Sequence, residues 1–433
     1  MSKRSKDSVL LKIITLICIA ALFLVIAVGV YFIKNERDSS SSSSSSQEKS
    51  QEETAPDGQQ EESTEDNTSA EPSSAEENSS TEPVSGDKYD KLIGEMDLHQ
   101  KICQLFIVTP ESLTGYDVVT ASGDATKSAL EEYPVGGLVY FAKNLEDEEQ
   151  AKAMLSGARD IAGELGQLPL FLAVDEEGGD VARCADTIGT TKFSPMYDYK
   201  EQGESTAYSN AYTIAKDISG IGFNLDFAPV ADTWSNPENT VIGKRAYSDD
   251  FAEAAALVAS AVKGFKDGGV YCSLKHFPGH GDTKEDSHLG TATASKTPDE
   301  LANEEYLAFE SGIKAGADMV MVGHITVTSI DDQPATISEK IIKDELRGRL
   351  GYDGVVVTDS LAMGAVADMY DSGELAVKVI EAGADILLMP QDVKSAVSAL
   401  EEAVKSGQIS EERIDESLRR ILILKGEKMD LGE

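Results

Sequence analysis

The chain has 433 residues, with 77 aspartates and glutamates against 38 lysines and arginines, for a formal net charge of −39. So acidic a protein repels polyanions, which excludes nucleic acid as a partner. Its four cysteines show no metal-type spacing and too little regularity for a disulfide framework; Cys103, Cys184 and Cys272 lie in or beside apolar runs and read as small core residues.

Residues 1–12 carry Lys3, Arg4, Lys6 and Lys12, and residues 13–33 are almost wholly apolar. At about 1.5 Å per helical residue that run can cross a bilayer, and its basic flank puts the N-terminus on the cytoplasmic side. The run exceeds a signal-peptide core, and Tyr31-Phe-Ile-Lys-Asn35 offers no small-residue cleavage site, so an uncleaved single-pass anchor is expected. Residues 34–87 begin with a serine run, Ser39 to Ser46, followed by Glu, Gln, Thr and Pro. They hold almost no large apolar side chain and are expected to stay disordered, a self-repelling acidic linker that holds residues 88–433 outside the cell membrane.

From residue 88 onward, short apolar runs alternate with helical patterns. The runs are 104–108, 137–141, 170–174, 223–227, 270–274, 319–322, 354–358 and 385–389. Helical stretches include 148–165, 206–221, 252–267, 301–315, 338–350, 373–382, 393–406 and 411–425. Continuous apolar strands are buried on both faces, as in a parallel sheet covered by helices, and eight such units predict a single α/β (β/α)8 barrel of the TIM type. An open doubly wound sheet would need a glycine-rich phosphate loop after the first strand, and Thr109-Pro-Glu-Ser-Leu113 is not one.

In such a barrel the reacting groups sit where strands end. The third strand ends at Asp175, with Glu176 and Glu177 next; the fourth leads to Asp232; the fifth ends at Lys275-His276, the sixth at His324 and the seventh at Asp359. The run KHFPGHGDTKEDSH, Lys275 to His288, holds three of the five histidines together with Asp282 and Asp286. It reads as a loop, because Pro278-Gly-His-Gly281 cannot continue a strand. His276 and His280 are four apart, but Pro278 and Gly279 break any helix between them, so no metal and no cofactor are expected. In Asp286-Ser-His288 a carboxylate lies two residues from an imidazole; bonded to one ring nitrogen it raises the basicity of the other, giving a proton donor near neutral pH. Asp359, fixed at a strand end, suits a carboxylate nucleophile of the kind used on sugars.

These residues carry a resemblance. The Lys275–His288 run resembles the signature of glycoside hydrolase family 3, in its β-N-acetylglucosaminidase subgroup. Gly136–Phe141 with Asn144, Ala173–Arg183 (AVDEEGGDVAR), Asn224–Ser248, Pro334–Ser338, Leu350–Met363 (LGYDGVVVTDSLAM) and Ala382–Pro390 are similar to further family segments, in the same order. The resemblance implies a retaining hydrolase that removes terminal GlcNAc from peptidoglycan fragments or related glycans. Asp359 would form a glycosyl-enzyme, His288 paired with Asp286 would serve as acid and base, and Asp175, Arg183, Arg245, Lys275 and His276 would bind the sugar. It also implies one barrel acting as a monomer. Three positions depart from the pattern: Glu176 stands where the family often has Gln, Asp180 where it often has Arg, and Ala246-Tyr-Ser248 follows Arg245. The alternatives are a phosphorylase passing the sugar to phosphate, and a non-catalytic wall-binding module.

Overall fold

The computed structural model describes residues 87–284 and 292–431. Twelve strands occur among them: β1 (Phe106–Val108), β2 (Gly137–Val139), β3 (Phe171–Val174), β4 (Glu176–Gly178), β5 (Val181–Ala182), β6 (Leu225–Asp226), β7 (Tyr271–Phe277), β8 (Ala292–Ala294), β9 (Met319–Val322), β10 (Ile325–Val327), β11 (Val355–Thr358) and β12 (Leu387–Leu388). Eight of them form one parallel sheet in the order β11-β9-β7-β6-β3-β2-β1-β12, each at a predicted apolar run. A parallel bridge from Val357 to Ile386 joins the two outer strands, with the Thr358 amide donating to the Ile386 carbonyl at 3.0 Å, so the sheet closes into a barrel.

Every residue of β1, β2, β3, β9 and β11 is buried, which is why these strands read as unbroken apolar runs rather than alternating ones. The covering helices begin at short polar caps. Asp97 and Gln100 cap each other's ends of the first turn reciprocally, and Asp147, Asp250, Asp371, Asp392 and Ser410 each accept a first-turn amide. The helix Phe251–Gly268 ends on Gly269, whose φ of 90° suits glycine and turns the chain into β7.

The structure departs from the sequence reading in four places. Strand β7 does not stop at Leu274 but runs through Lys275 and His276 to Phe277, with a register shift against β9 between Leu274 and Phe277. Pro278 is the stop, so Lys275 and His276 stand at the strand end, where the strand-end reading puts them, and only the run from Pro278 onward is loop. The helix expected over 301–315 is broken into Pro298–Asn303 and Tyr306–Lys314. A helix, Asp124–Glu132, precedes β2 where none was expected. Finally, two small sheets lie outside the barrel: the β4–β5 hairpin and the parallel pair β8–β10.

The N-terminal end of the barrel is sealed by Lys425, which is 0% exposed. Its Nζ donates to Gln104 Oε1 at 3.1 Å and to the Gly136 carbonyl at 3.0 Å, and lies 4.9 Å from the centroid of the Phe171 ring. Burial pushes its ammonium down to about 7. Nearby, the buried Asp385 accepts from Arg347, Arg420, Ser417 and the Val356 amide.

Among the described residues no helix is long and apolar enough to cross a membrane. The expected anchor, residues 13–33, and the expected linker, 34–87, lie outside the described residues except for Asp87, which caps the helix Lys88–Glu95.

Candidate active site

Parallel strands bring Asp175, Lys275, His276, His324 and Asp359 to one end of the barrel, because each stands at or just beyond the C-terminal end of its strand. Four of the five sugar-binding candidates enter ion pairs there. Lys275 is 3% exposed, and its Nζ reaches Asp175 Oδ1 at 2.8 Å and Glu177 Oε1 at 2.6 Å. Arg245 grips the same Glu177 with two bonds, Nε to Oε2 and a terminal nitrogen to Oε1, both 2.8 Å. Burial alone would raise the Glu177 carboxyl, but the Arg245 and Lys275 charges outweigh it and hold it far below the usual range. Burial likewise opposes a charge on Lys275, and Asp175 and Glu177 overcome it and raise its affinity for the proton.

Glu177 is the residue the sequence reading passed over. It stood in the motif beside Asp175, but nothing in a run of three carboxylates says which one turns inward. The β4–β5 hairpin decides it: Glu177 goes to Lys275 and Arg245, while Glu176 turns the other way. Glu176 is 2% exposed and accepts from the Cys184 and Ala185 amides at 2.7 and 3.0 Å. Burial lifts its carboxyl to about 7 against the pull of those two amides. Those amides directly follow Arg183, so Glu176 fixes the backbone that presents this arginine. The Arg183 guanidinium lies over the Phe141 ring, 5.8 Å from its centroid, and its Nε is buried with no hydrogen-bond partner among the described residues. Asp226 is 0% exposed and accepts from the Glu176 amide at 2.9 Å, while its Oδ2 has no partner among the described residues. Burial raises its carboxyl well above the usual range.

His276 is set by Asp232. The Asp232 carboxylate accepts from His276 Nδ1 at 2.7 Å and from the His276 amide at 3.1 Å, and its other oxygen accepts from the His280 amide at 2.7 Å. Burial works against the Asp232 charge, but the His276 ring and then His280 overcome it and hold the carboxyl low. His280 Nδ1 meets Thr283 Oγ1 at 2.7 Å, and burial pushes its ring below the ordinary value despite Asp232. His280 is thereby a buried supporting group.

Asp359 is partly exposed and held from its own backbone: its amide donates to the Val322 carbonyl at 2.9 Å, and its Oδ1 accepts from the Ser360 amide at 2.7 Å. Burial disfavours its charge, yet His276, His324, the Ser360 amide and Lys275 together hold it below the usual carboxylate range. His324 is 0% exposed; Nδ1 meets Thr336 Oγ1 at 2.6 Å and Nε2 meets the Ser360 carbonyl at 2.8 Å, so it braces the turn that carries Asp359. The other two expected catalytic residues, Asp286 and His288, lie outside the described residues. The backbone on either side of them is described: Asp282 and Lys284 before, Ala292 after. There Lys296 pairs with Glu304 and Glu305, at 2.7 and 2.5 Å, and reaches Asp282 at 3.9 Å.

Asp359, ionised at one barrel end in the field of His276, His324 and Lys275, with Asp175, Glu177 and Arg245 linked to that same lysine, belongs to a cluster of fixed charges suited to a polyhydroxylated ligand. Residues 97–424 match the family described as the glycosyl hydrolase family 3 N terminal domain. The chain belongs to glycosyl hydrolase family 3. This family 3 chain is 34% identical over 322 residues to a β-hexosaminidase A of Pseudoalteromonas piscicida, covering 68% of this chain and 54% of the relative. It is 34% identical over 284 residues to a β-hexosaminidase of Stenotrophomonas maltophilia (strain R551-3), covering 63% of this chain and 82% of the relative. Among solved structures it resembles a glycoside hydrolase family 3 β-N-acetylglucosaminidase from Paenibacillus sp. str. FPU-7, with a TM-score of 0.73 and 39% identity, over 77% of this chain and 63% of that one. A β-N-acetylhexosaminidase from Beutenbergia cavernae matches with a TM-score of 0.68 and 29% identity, over 77% of this chain and 99% of that one. The chain thus spans under two thirds of the Pseudoalteromonas and Paenibacillus proteins and nearly all of the Beutenbergia one.

Proposed function

We propose that this chain is a retaining exo-β-N-acetylglucosaminidase that removes terminal non-reducing GlcNAc from peptidoglycan fragments or related glycans. The observation that carries this reading is the Asp359 carboxylate, kept ionised at the end of β11 by His276, His324 and Lys275 in a glycosyl hydrolase family 3 barrel. One Asp359 oxygen would attack the anomeric carbon as the bond to the aglycone oxygen breaks. His288, oriented by Asp286, would give its proton to that leaving oxygen. A water would then surrender a proton to His288, attack the same carbon and release Asp359. Lys275 and Asp175 would meet sugar hydroxyls, as would Nε2 of His276, whose Nδ1 is committed to Asp232. Arg183 and Arg245 would complete the grip.

A mechanism-based fluoro-GlcNAc fluoride tests this directly. The expected result is a stable glycosyl adduct on the Asp359 peptide, with turnover of chromogenic GlcNAc lost in D359A. Unimpaired turnover by D359A would sink the reading. Equal product yields with and without phosphate are expected of a hydrolase.

The same proposal extends to location. The composition of residues 1–33 supports a single-pass anchor with the barrel outside the cell, and detergent-dependent extraction of the full chain from membranes tests it.

A further inference from the structure

His324 stands just past the end of β9, is 0% exposed, and has a partner at each ring nitrogen. Nε2 lies 2.8 Å from the Ser360 carbonyl, which can only accept, so Nε2 carries a hydrogen. Nδ1 lies 2.6 Å from the hydroxyl oxygen of Thr336, itself 0% exposed. That hydroxyl has a single hydrogen, and it donates to the Gly323 carbonyl at 3.0 Å. With its hydrogen given to Gly323, Thr336 Oγ1 can only accept from Nδ1, so Nδ1 carries a hydrogen as well. A ring that donates from both nitrogens is an imidazolium. Burial opposes a charge here, and the Asp359 carboxylate, one residue before Ser360, offsets it. A neutral ring would have to take the Thr336 hydrogen for itself, which strips a buried carbonyl of its donor and forgoes that attraction.

The frame around the ring is rigid. The Val322 carbonyl, two residues before His324, accepts from the Asp359 amide at 2.9 Å, and the Gly323 amide donates to the Phe277 carbonyl of β7 at 2.9 Å. A Cβ on Gly323 would lie 3.0 Å from the His276 Cβ. Ser360 takes the His324 hydrogen on its carbonyl and gives its own amide to Asp359 Oδ1 at 2.7 Å, so one residue couples the ring to the carboxylate. Among the described residues the charged or titratable groups facing Asp359 are Lys275 and His276 on β7, His280 on the run after it, and His324. Burial alone would raise the Asp359 carboxyl; of the groups that hold it down, His276 acts most strongly and His324 next.

We propose that His324 is a positioning residue that acts as a fixed cation: Thr336 accepts its second proton, and the ring holds the Ser360 turn so that Asp359 stays ionised and aimed. This rests on the reading of Asp359 as the nucleophile. H324Q can still offer an amide hydrogen to the Ser360 carbonyl but carries no charge. T336V keeps the shape of the side chain and removes the acceptor for Nδ1, while T336S retains that acceptor.

The test is the pH profile of kcat/KM in the full chain for a dinitrophenyl GlcNAc glycoside. Its leaving group departs without a proton, so the acid limb reports the carboxylates that must be ionised. Removing a cation lets a carboxyl keep its proton to higher pH. H324Q is expected to move the acid limb up by about 1 pH unit or more, the shift that one nearby opposite charge produces. T336V should move it in the same direction and carries the test if H324Q does not fold; T336S should leave it at the wild-type position. A merely structural role would lower turnover at every pH and leave the limb in place. An acid limb unmoved in either folded variant, or moved by T336S as far as by T336V, would overturn the proposal. An inactive D359A beside an unmoved limb overturns it alone; full turnover by D359A overturns the nucleophile reading and this proposal with it.

Discussion

Two lysines are buried at opposite ends of one barrel, and they are treated in opposite ways. Lys275, at the C-terminal end, meets two carboxylates and holds its proton more firmly than usual. Lys425, at the N-terminal end, meets among the described residues a side-chain amide, a carbonyl and a ring face but no carboxylate, and burial drives it down to about 7. The difference follows from what each end must do. The end proposed to meet the sugar keeps a net of fixed charges whose members compensate one another. The other end needs only a donor long enough to plug the floor, and its charge is a burden there.

The comparison can be broken or sharpened by experiment. D359A should have the largest effect, a loss of kcat on the order of 10⁴-fold, with a melting temperature equal to or above that of the wild type. A matching loss of stability would mean that the upper charges are structural. K275M should come next, because it leaves Asp175 bare and half of the hold on Glu177 gone. About 3 kcal/mol of stability should be lost, measured by denaturant unfolding, together with activity.

K425M should do the reverse at the other end, raising stability by about 1–2 kcal/mol at pH 6 without changing activity. Its pH dependence has a definite sign. Between about 7 and the ordinary lysine value near 10.4, the unfolded chain carries a proton that the fold does not, so the wild type gains stability as pH rises through that window. The advantage of K425M should therefore shrink toward pH 10; an advantage that grew would refute the assignment.

E176Q should have the smallest effect. The Glu176 carboxyl lies at about 7 in the fold against an ordinary 4.5, so between these the unfolded chain is ionised while the fold retains the proton. Wild-type stability should fall as pH climbs through that window, and E176Q should lack the slope. Thermal melts of both at pH 4.5, 6 and 8 check this.

Much of the barrel was legible because its strands are buried on both sides, which leaves apolar runs that no surface element shows. Asp175, Lys275, His276 and Asp359 were legible because strand ends are where a parallel barrel gathers its polar side chains. The β4–β5 hairpin was not, since strands of two or three residues leave no periodicity. The inward turn of Glu177 was hidden with it. The partners of Lys275 and His276 were not legible either, since their carboxylates arrive from 100 and 44 positions away in the chain.

The plug formed by Lys425 has a consequence for how the chain comes to be finished. Its two partners stand just before the first and second strands, while the lysine itself belongs to the helix Glu411–Lys428. A chain whose strands have already paired therefore still has a floor open to water until this helix, the last of the described elements, packs beneath it.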